Sequence, residues 1–272
     1  MMQKVKIYCI TINNDHYDKI KKLDLIPVGL GKNIINSEFI TDKGGSNIHS
    51  KNLYYGEYTF HYWLWKNKLE KLDNEWIGFC QYRKFWGIQK NPLINDNLED
   101  FKKNLLFEIP SEFQNYDSII GEPLYVNKFR LSKFIKKNFK KMALNPTLFF
   151  NKEKRTIKFH FDMMHGEGNL DKAIKLLESN EQKDFTDYVN TEVCFNPHNM
   201  FICKSKKTLL SYYQSVFPWL ERSEKIFGFN LEGYGLQRIY GFLAERYMSY
   251  WFKKYTKYMT LPIIVKDISE LD

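Results

Sequence analysis

The hydrophobic residues of this chain fall into short runs and into longer, helically spaced stretches, and the two patterns alternate. Short apolar runs, the first of them rich in β-branched residues, predict strands at residues 4–12, 75–82 and 116–121. Residues 25–31 form a short apolar piece that contains Pro and two Gly. Apolar residues at helical spacing predict helices at residues 55–72, 205–226 and 234–252. This alternation favours an α/β fold with a helical C-terminal third.

Weaker patterns occupy the middle of the chain. Basic stretches near residues 128–142 and 169–178 predict two further helices, and residues 195–203 read as a loop that enters a strand. The polar segment at 41–50 contains two adjacent glycines and must be a loop. Because no repeat or Pro/Gly/Ser-rich linker divides the chain, we expect a single domain over residues 1–272.

Composition supports a globular protein. The 272 residues are 43% hydrophobic and 27% charged, which is enough apolar material for a full core. The chain contains no 18-residue run without charge and no small-residue cleavage site near its start, so we expect a cytoplasmic protein. Without a CxxC pair or an HExxH motif, the four cysteines are expected to be free thiols and no metal site is assigned. They are Cys9, Cys80, Cys194 and Cys203.

Net charge leaves a second class of function open. The chain carries 41 Lys+Arg against 32 Asp+Glu, a balance of +9, and 17% of its residues are aromatic. Such a protein could be a non-enzymatic binder of single-stranded nucleic acid. The lysines are dispersed, however, and no RNP, KH or zinc-finger pattern is present, so we expect no nucleic-acid partner. Six of the cations are arginines, which form bidentate contacts with phosphate or carboxylate that lysine cannot.

The first candidate site follows the predicted strand 75–82. Gln81, Tyr82, Arg83 and Lys84 would reach the carboxyl edge of a sheet, where open α/β sheets bind ligands. Arg83 and Lys84 could neutralise a diphosphate there. The alternative is a strand end with two solvated cations.

The second candidate is the glycine-containing loop and the helix start after it. Gly44 and Gly45 let backbone N–H groups approach a ligand, while Asn47, Lys51 and Asn52 can hydrogen-bond a base, ribose or phosphate. The GxxxxGK[ST] pattern is absent, which removes the usual signature of nucleotide hydrolysis. A mobile surface loop is the alternative.

A third segment, 159–173, concentrates acids and histidines. Asp162 with His165 beside it is a competent general base for a hydroxyl. A metal cluster, or acids that only cap and solvate the next helix, are the alternatives.

The last two candidates lie further along the chain. Arg238 and Glu245 are seven residues apart, which places them on one helix face; a buried structural ion pair is the alternative. His198 and Asn199 stand where the chain enters the strand near 201, and would place an imidazole and an amide in a cleft.

Several of these segments together resemble a known family. The segments KIYCIT, IPVGLG, SKNLYYGEYTFHYWLWKN, WIGFCQYRKFW, HNMFICK and RIYGFLAERYMSYWF are similar to motifs of a bacterial family catalogued as domain of unknown function 4422 and found in capsular and exopolysaccharide gene clusters. The resemblance spans nearly the whole chain. It implies a glycosyltransferase with a GT-A-like, Rossmann-type mixed sheet, and some relatives are thought to transfer galactofuranose from UDP.

The resemblance also implies site residues. Family positions fall on Lys51, Asn52 and Glu57, on Tyr82 and Arg83, and on Arg238, Glu245 and Arg246. Three positions depart from the family pattern, namely Gly56 for Cys, Gln81 for His and Lys84 for Arg. An Asp-x-Asp metal motif is absent at the usual strand end, so a divalent metal is not expected, although the resemblance leaves it open.

The resulting expectation is an inverting transferase. Residues 1–125 would bind the nucleotide sugar and residues 126–272 the acceptor. Cations would hold the pyrophosphate and a carboxylate would deprotonate the acceptor hydroxyl. Asp162, oriented by His165, is the first choice of base and Glu245 the second. The expected pyrophosphate ligands are Arg83, Lys84 and Lys51; the uridine or sugar ligands are Tyr8, Asp42, Asn47 and Asn52, with Tyr82 beside them; the acceptor ligands are Glu57, His198, Asn199, Arg238 and Arg246.

The expected partners are a nucleotide sugar and an oligosaccharide or lipid-linked acceptor. Residues 246–259 mix aromatics with lysines, as a segment lying on the inner-membrane surface would. A helix with its aromatics in the core and its lysines in water explains the same pattern.

Overall fold

The computed structural model describes residues 3–73, 75–129 and 151–272. The chain divides into two compact units, and neither is continuous in sequence. Unit 1 comprises Met1–Glu122, His198–Ser215 and Trp251–Asp272, and unit 2 comprises Pro123–Pro197 and Val216–Tyr250. The first crossing between the units lies between Glu122 and Pro123, and two later segments return to unit 1.

The strands of the described residues are mostly short. In chain order they are β1 (Gln3–Thr11), β2 (Ile26–Gly29), β3 (Ile40–Thr41), β4 (Trp76–Gln81), β5 (Lys84–Trp86), β6 (Glu108–Ile109), β7 (Ser118–Gly121), β8 (Leu124–Tyr125), β9 (Cys194–Phe195), β10 (Phe201–Cys203), β11 (Tyr258–Leu261) and β12 (Ile263–Val265).

The helices are concentrated in the second half of the chain. They are α1 (His16–Lys22), α2 (Asn52–Tyr55), α3 (Tyr58–Asn67), α4 (Leu98–Lys102), α5 (Ile157–His165), α6 (Asn169–Ile174), α7 (Ser179–Thr191), α8 (Lys206–Phe227), α9 (Tyr234–Gln237) and α10 (Ile239–Tyr255).

Unit 1 is built on a mixed sheet with the strand order β11-β7-β10-β4-β1-β2-β3. Strands β1 to β4 are mutually parallel, with Tyr8 aligned to Ile26 on one side and to Phe79 on the other. Strand β10 runs antiparallel to β4 and to β7. A mixed sheet flanked by helices, followed by a helical C-terminal region, confirms the expected α/β class.

Both faces of this sheet are buried, which explains why its central strands read as continuous apolar runs. On one face Tyr8 packs against Phe60 and Phe79, with ring centroids 5.4 and 5.8 Å away. On the other face Ile7 and Cys9 belong to a second hydrophobic cluster. The four cysteines are free thiols, as expected.

Two buried pairs of polar side chains connect helices inside unit 1. The helix Tyr58–Asn67 is tied to the residues that begin the helix Lys206–Phe227 by the Tyr58–Tyr212 hydroxyl pair at 2.5 Å and by His61 Nδ1 with the Tyr213 hydroxyl at 2.7 Å. Burial lowers the pKa of His61 to about 3, so its imidazole is neutral.

Unit 2 is a helical body with the small β8–β9 sheet. The indole of Trp219 donates to the carbonyl oxygen of Ala173 at 2.7 Å, and Phe185 packs edge-on against Trp219 and Tyr247. These buried rings hold the helices of this unit around one core.

The helices of the second half of the chain differ from the predictions in two places, and a third prediction lies outside the described residues. The predicted helix 234–252 is interrupted at Arg238, where the helix Tyr234–Gln237 ends and the helix Ile239–Tyr255 begins. The helix Ser179–Thr191 was not predicted, because its mean hydropathy is low and its apolar residues are few. The predicted helix near 128–142 lies almost entirely outside the described residues.

The C-terminal aromatic segment belongs to the core. Tyr247, Tyr250, Trp251 and Phe252 are all buried, so they are not available for a membrane surface and the core explanation of this segment holds for them. Within the described residues, no helix is long and apolar enough to cross a membrane.

The aromatic core of unit 1 generates a stability prediction. Phe201 is fully buried between Phe79, Tyr212 and Phe252, with ring centroids 4.9–5.4 Å away. We expect Phe201→Ala to lower the free energy of unfolding by about 3–5 kcal/mol, measured by urea denaturation. Leu93→Ala is the control, since Leu93 is 99% exposed; equal effects of the two substitutions would contradict this packing.

Candidate functional site

The carboxyl edge of the sheet in unit 1 gathers several candidate residues. Strands β1 to β4 are parallel, so Thr11, Asp42 and Gln81 stand at one edge where these strands end. Strand β10 runs the other way and enters from the same edge, directly after His198 and Asn199. Crevices outside the carboxyl ends of parallel strands are where open α/β sheets bind ligands.

Five side chains form what we call the strand-end cluster: Glu57, Gln81, Lys84, His198 and Asn199. Gln81 Nε2 donates to the carbonyl oxygen of His198 at 2.9 Å, and Lys84 Nζ lies 3.4 Å from Gln81 Oε1. Asn199 Nδ2 donates to Glu57 Oε1 at 2.7 Å. A cation, a carboxylate and two amides are therefore connected at the sheet edge by hydrogen bonds and by the His198–Asn199 backbone.

The backbone around the cluster is strained. His198 and Asn199 have φ values of 78° and 53°, in the left-handed region that non-glycine residues seldom adopt. Gly56, next to Glu57, combines a φ of 60° with a ψ of −132°, a conformation open to glycine almost alone. Strain of this kind costs about 1–3 kcal/mol per residue and is concentrated at functional sites.

His198 is neutral in this setting. Burial and the nearby Lys84 ammonium together lower the pKa of His198 to about 3. At physiological pH the imidazole therefore offers one donor and one acceptor and no charge. Lys84 is left as the cation of the cluster.

Arg83 and Lys84 point to different places, because Tyr82 and Arg83 form the turn between β4 and β5, whereas Lys84 begins β5. Lys84 contacts Gln81, whereas Arg83 Nε donates to Asp267 Oδ2 at 2.6 Å and its side chain is 59% exposed. The Tyr82 ring packs against the His16 ring at a tilt of 38°, with centroids 5.1 Å apart. The expected joint grip of Arg83 and Lys84 on a diphosphate is therefore not what this arrangement offers; Lys84 alone faces the cluster.

The glycine-containing loop closes on itself around Asp42. The Asp42 side chain is fully buried, and its Oδ1 lies 2.6 Å from His49 Nδ1. Asp42 Oδ2 is buried as well and has no hydrogen-bond partner among the described residues. An unpaired buried acceptor costs about 1–3 kcal/mol, which a donor from a ligand would offset.

The asparagines of this loop are engaged in backbone contacts. Asn47 Nδ2 donates to the Gly45 carbonyl oxygen at 3.0 Å and its Oδ1 accepts from the His49 N–H at 3.1 Å. Asn52 Nδ2 donates to the Gly56 carbonyl oxygen at 3.1 Å and to Thr59 Oγ1 at 3.0 Å. Lys51 ends the short 3₁₀ turn His49–Lys51. Asn47 and Asn52 thus hold the loop and the start of the following helix in shape.

Tyr8 lies away from the carboxyl edge. Its ring is in the core, and the charges that act on its hydroxyl are Lys6 and Glu75, which lie towards the opposite edge. Burial raises the pKa of the Tyr8 phenol. The expected contact of Tyr8 with the nucleotide stays a prediction.

In unit 2 the structure gives Asp162 and His165 separate partners. Asp162 Oδ2 lies 3.0 Å from Lys158 Nζ, and Asp162 Oδ1 accepts from the Gly168 N–H at 3.1 Å. His165 Nδ1 lies 3.0 Å from the Gly235 carbonyl oxygen, and its ring stacks on Phe242. The predicted contact between His165 and Asp162 is thus replaced, because both carboxylate oxygens have other donors.

In unit 2, Arg246 is held by contacts inside the core, and Arg238 lies between two helices. Arg246 is almost fully buried, pairs with Glu245, and lies with its guanidinium carbon 4.1 Å from the Phe195 ring centroid. Burial lowers the pKa of Arg246. Burial and the nearby charge of Arg246 together lower the pKa of His160 to about 3. Arg238 precedes the helix that carries Glu245, so the prediction that both lie on one helix face is wrong.

Most of the chain matches the model of a protein family. The model of a family described as "Domain of unknown function (DUF4422)" matches residues 6–257. The chain belongs to this family. The resemblance inferred from the motifs is thereby confirmed at the level of the family. No curated protein matches the sequence at a significant level.

A solved structure is similar to this family member over nearly all of its length. It is described as the apo structure of WbbM, a bifunctional glycosyltransferase; the TM-score is 0.58, the identity 20%, and the match covers 97% of this chain and 45% of that one. At this identity the likeness shows a shared fold. The chain spans less than half of the length of WbbM.

A metal site was not assigned from the sequence. Across the described ranges, no group of three or more His, Cys, Asp or Glu side chains is placed to hold a metal ion.

Gln81 is the member of the cluster whose role sequence reasoning missed. It was noted as a departure from the family pattern, but its bond to the His198 carbonyl depends on the pairing of β4 with β10. Nothing in the local sequence specifies that pairing. The sequence likewise did not predict the positive φ values of His198 and Asn199.

The buried histidines generate a pH prediction. His160 has a pKa of about 3 when folded and about 6.5 when unfolded, so the unfolded chain binds the extra proton between these values. The stabilisation by the neutral ring is present above pH 6.5 and is lost as the pH falls towards 3. We expect His160→Gln to reduce the slope of unfolding free energy against pH by about 1.4 kcal/mol per pH unit between pH 6 and 4.

Urea denaturation of both proteins across this range measures the two slopes. Above pH 7 the slopes should coincide, because the ring is neutral in both states. Equal slopes between pH 6 and 4 would show that His160 is not held neutral by burial.

Proposed function

We propose that this chain is a glycosyltransferase whose nucleotide-sugar donor binds at the carboxyl edge of the sheet in unit 1. The observation that carries the proposal is the strand-end cluster, which joins one cation to one carboxylate through amide side chains and the His198–Asn199 backbone. Membership of the family and a fold shared with a glycosyltransferase agree with it.

Glycosyl transfer builds negative charge on the departing diphosphate, and a fixed cation stabilises that charge. Lys84 is the cation of the cluster, and neutral His198 beside it can donate a hydrogen bond to a phosphate or sugar oxygen. We assign Lys84 to the diphosphate, with Lys51 as a second candidate from the neighbouring turn.

The nucleoside is assigned to the loop at Asp42. Oδ2 of this buried carboxylate has no donor among the described residues, and a ribose hydroxyl or a base N–H would supply one. The shape of the loop is kept by Asn47 and Asn52, whose amide contacts are internal. UDP is the proposed nucleotide, as the resemblance implies.

Glu57 is our choice of general base. Its Oε1 is oriented by Asn199, and as an ionised carboxylate it can accept the proton of an acceptor hydroxyl. The hydroxyl oxygen then bonds to the anomeric carbon as the bond from that carbon to the diphosphate oxygen breaks, and the bonding electrons leave with the nucleoside diphosphate. Direct attack by the acceptor inverts the anomeric centre. Glu57 replaces Asp162 in this role because Glu57 belongs to the strand-end cluster, whereas Asp162 lies in unit 2 beside Lys158 and the Gly168 N–H.

The proposal also names the donor sugar and the acceptor. Galactofuranose as the donor sugar, and a capsular or other surface polysaccharide, free or lipid-linked, as the acceptor, follow from the family resemblance. We place the reaction at the cytoplasmic face of the inner membrane. Thermal-shift screening with UDP-, GDP-, CMP- and dTDP-sugars, with and without Mn²⁺, tests the donor class directly.

Arg83 and Lys84 provide a matched pair for testing the diphosphate site. We expect Lys84→Ala to weaken UDP binding about 10- to 100-fold, the equivalent of losing one charge-assisted contact. Arg83→Ala should change the dissociation constant less than about twofold, because Arg83 is directed to Asp267. Isothermal titration calorimetry measures both constants, and equal losses, or none, would remove Lys84 from this role.

Glu57→Gln tests the base. The substitution keeps the acceptor oxygen for Asn199 but cannot take up a proton, so we expect kcat to fall at least about 100-fold with UDP-sugar affinity unchanged. Asp162→Asn is the control, and should keep kcat within about threefold while lowering stability. Turnover by Glu57→Gln near the normal rate, or a large loss of kcat in Asp162→Asn, would refute the assignment.

A further inference from the structure

Unit 1 contains a cavity whose lining includes none of the residues given a role in the proposed reaction. Its volume is about 370 Å³, within the range of roughly 300–1,000 Å³ typical of small-molecule sites. Strand residues, the second half of the helix Tyr58–Asn67 and the segment after it form the walls. The lining residues are Tyr8, Ile40, Thr41, Lys43, Trp63, Leu64, Lys68 and Leu72.

The cavity is separate from the strand-end cluster. The helix Tyr58–Asn67 begins next to Glu57 of the cluster and contributes Trp63 and Leu64 to the cavity, about two turns and roughly 10 Å further along its axis. The pKa of the Tyr8 phenol, on the cavity wall, is influenced by the charges of Lys6 and Glu75, which lie towards the opposite edge of the sheet. The two sites thus lie near opposite ends of one helix.

The lining changes from apolar to charged towards solvent. Leu64 and Tyr8 are buried, Trp63 and Leu72 are half-buried, and Lys43 and Lys68 are exposed. The lining carries two ammonium groups and no carboxylate. A ligand that matches this gradient has an apolar body and a negative end.

Two polar groups at the wall are placed to assist such a ligand. The Tyr8 hydroxyl makes no hydrogen bond to another residue in the part of the chain that the structure describes, and Lys68 Nζ lies 6.0 Å from the Trp63 ring centroid. The wall is also held in place, since Asn67 Nδ2 donates to the Ser46 carbonyl oxygen at 2.8 Å and Asn67 Oδ1 accepts from the Ser46 N–H. Asn67 thereby fastens the segment after Lys43 to the end of the helix.

We propose that this cavity binds an amphiphilic organic anion, with its apolar body against Leu64 and Trp63 and its phosphate or carboxylate at Lys43 and Lys68. None of the lining residues belongs to the strand-end cluster, and Thr41 and Lys43 flank Asp42 of the proposed nucleoside loop. A lipid-like phosphate, a fatty acid and an aromatic acid share the required chemistry, and the probes below distinguish them.

Binding to the full chain is measured with three probes: decyl phosphate, decanoate and the fluorescent aromatic anion 8-anilinonaphthalene-1-sulfonate. We expect saturable binding of at least one probe, weakened about tenfold or more in the double variant Lys43→Gln/Lys68→Gln. The charge-matched control is Lys66→Gln/Lys71→Gln, whose lysines are outside the lining and should change binding less than about twofold. Leu72→Trp, which fills the cavity, should abolish binding.

The pattern across probes identifies the source of the ligand. Binding of the two decyl compounds alone supports a lipid-like anion, and binding of the naphthalene probe alone supports an aromatic acid. The proposal is overturned if no probe saturates, or if the control double variant weakens binding as much as the cavity double variant. Both double variants change only exposed lysines, so the comparison does not depend on whether Leu72→Trp folds.

Discussion

The hydrogen bond from Gln81 to the carbonyl oxygen of His198 is the contact on which the candidate site depends. It ties the end of β4 to the turn that enters β10, and so holds His198 and Asn199 in a strained left-handed conformation. That conformation brings Asn199 to Glu57 and His198 to Lys84. Strain persists in a folded protein only where surrounding contacts over-determine it, and here the antiparallel β4–β10 pairing does so.

The charged residues divide into two groups by environment. In unit 2, Arg246 and Glu245 form an ion pair that is buried among aromatic rings. The attraction within such a pair is largely offset by the cost of desolvating both charges, and the pair chiefly maintains the local fold. In unit 1, Lys84 and Glu57 are only partly buried and lie at a sheet edge. Ions in the second setting can exchange partners with a ligand at lower cost, which is why the proposed chemistry is placed there.

One short helix links the two proposed binding regions of unit 1. The helix Tyr58–Asn67 begins beside Glu57 and ends at Asn67, which holds the segment that follows Lys43. Its buried face is fixed by Tyr58 and His61 through their tyrosine partners. Because this face cannot rotate without breaking both bonds, the positions of Glu57 at one end and Trp63 further along are set together.

The sequence alone determined the α/β class, the main strands and long helices, the free cysteines and the family, because hydrophobic periodicity and local motifs carry these properties. It also placed Glu57, Lys84, His198 and Asn199 among the candidates. Only the tertiary structure decided which of them meet: Arg83 faces Asp267 although Lys84 beside it faces the cluster, and Asp162 pairs with Lys158 and not with His165. Strand pairing and the direction of each side chain are long-range outcomes of packing, and no local pattern encodes them.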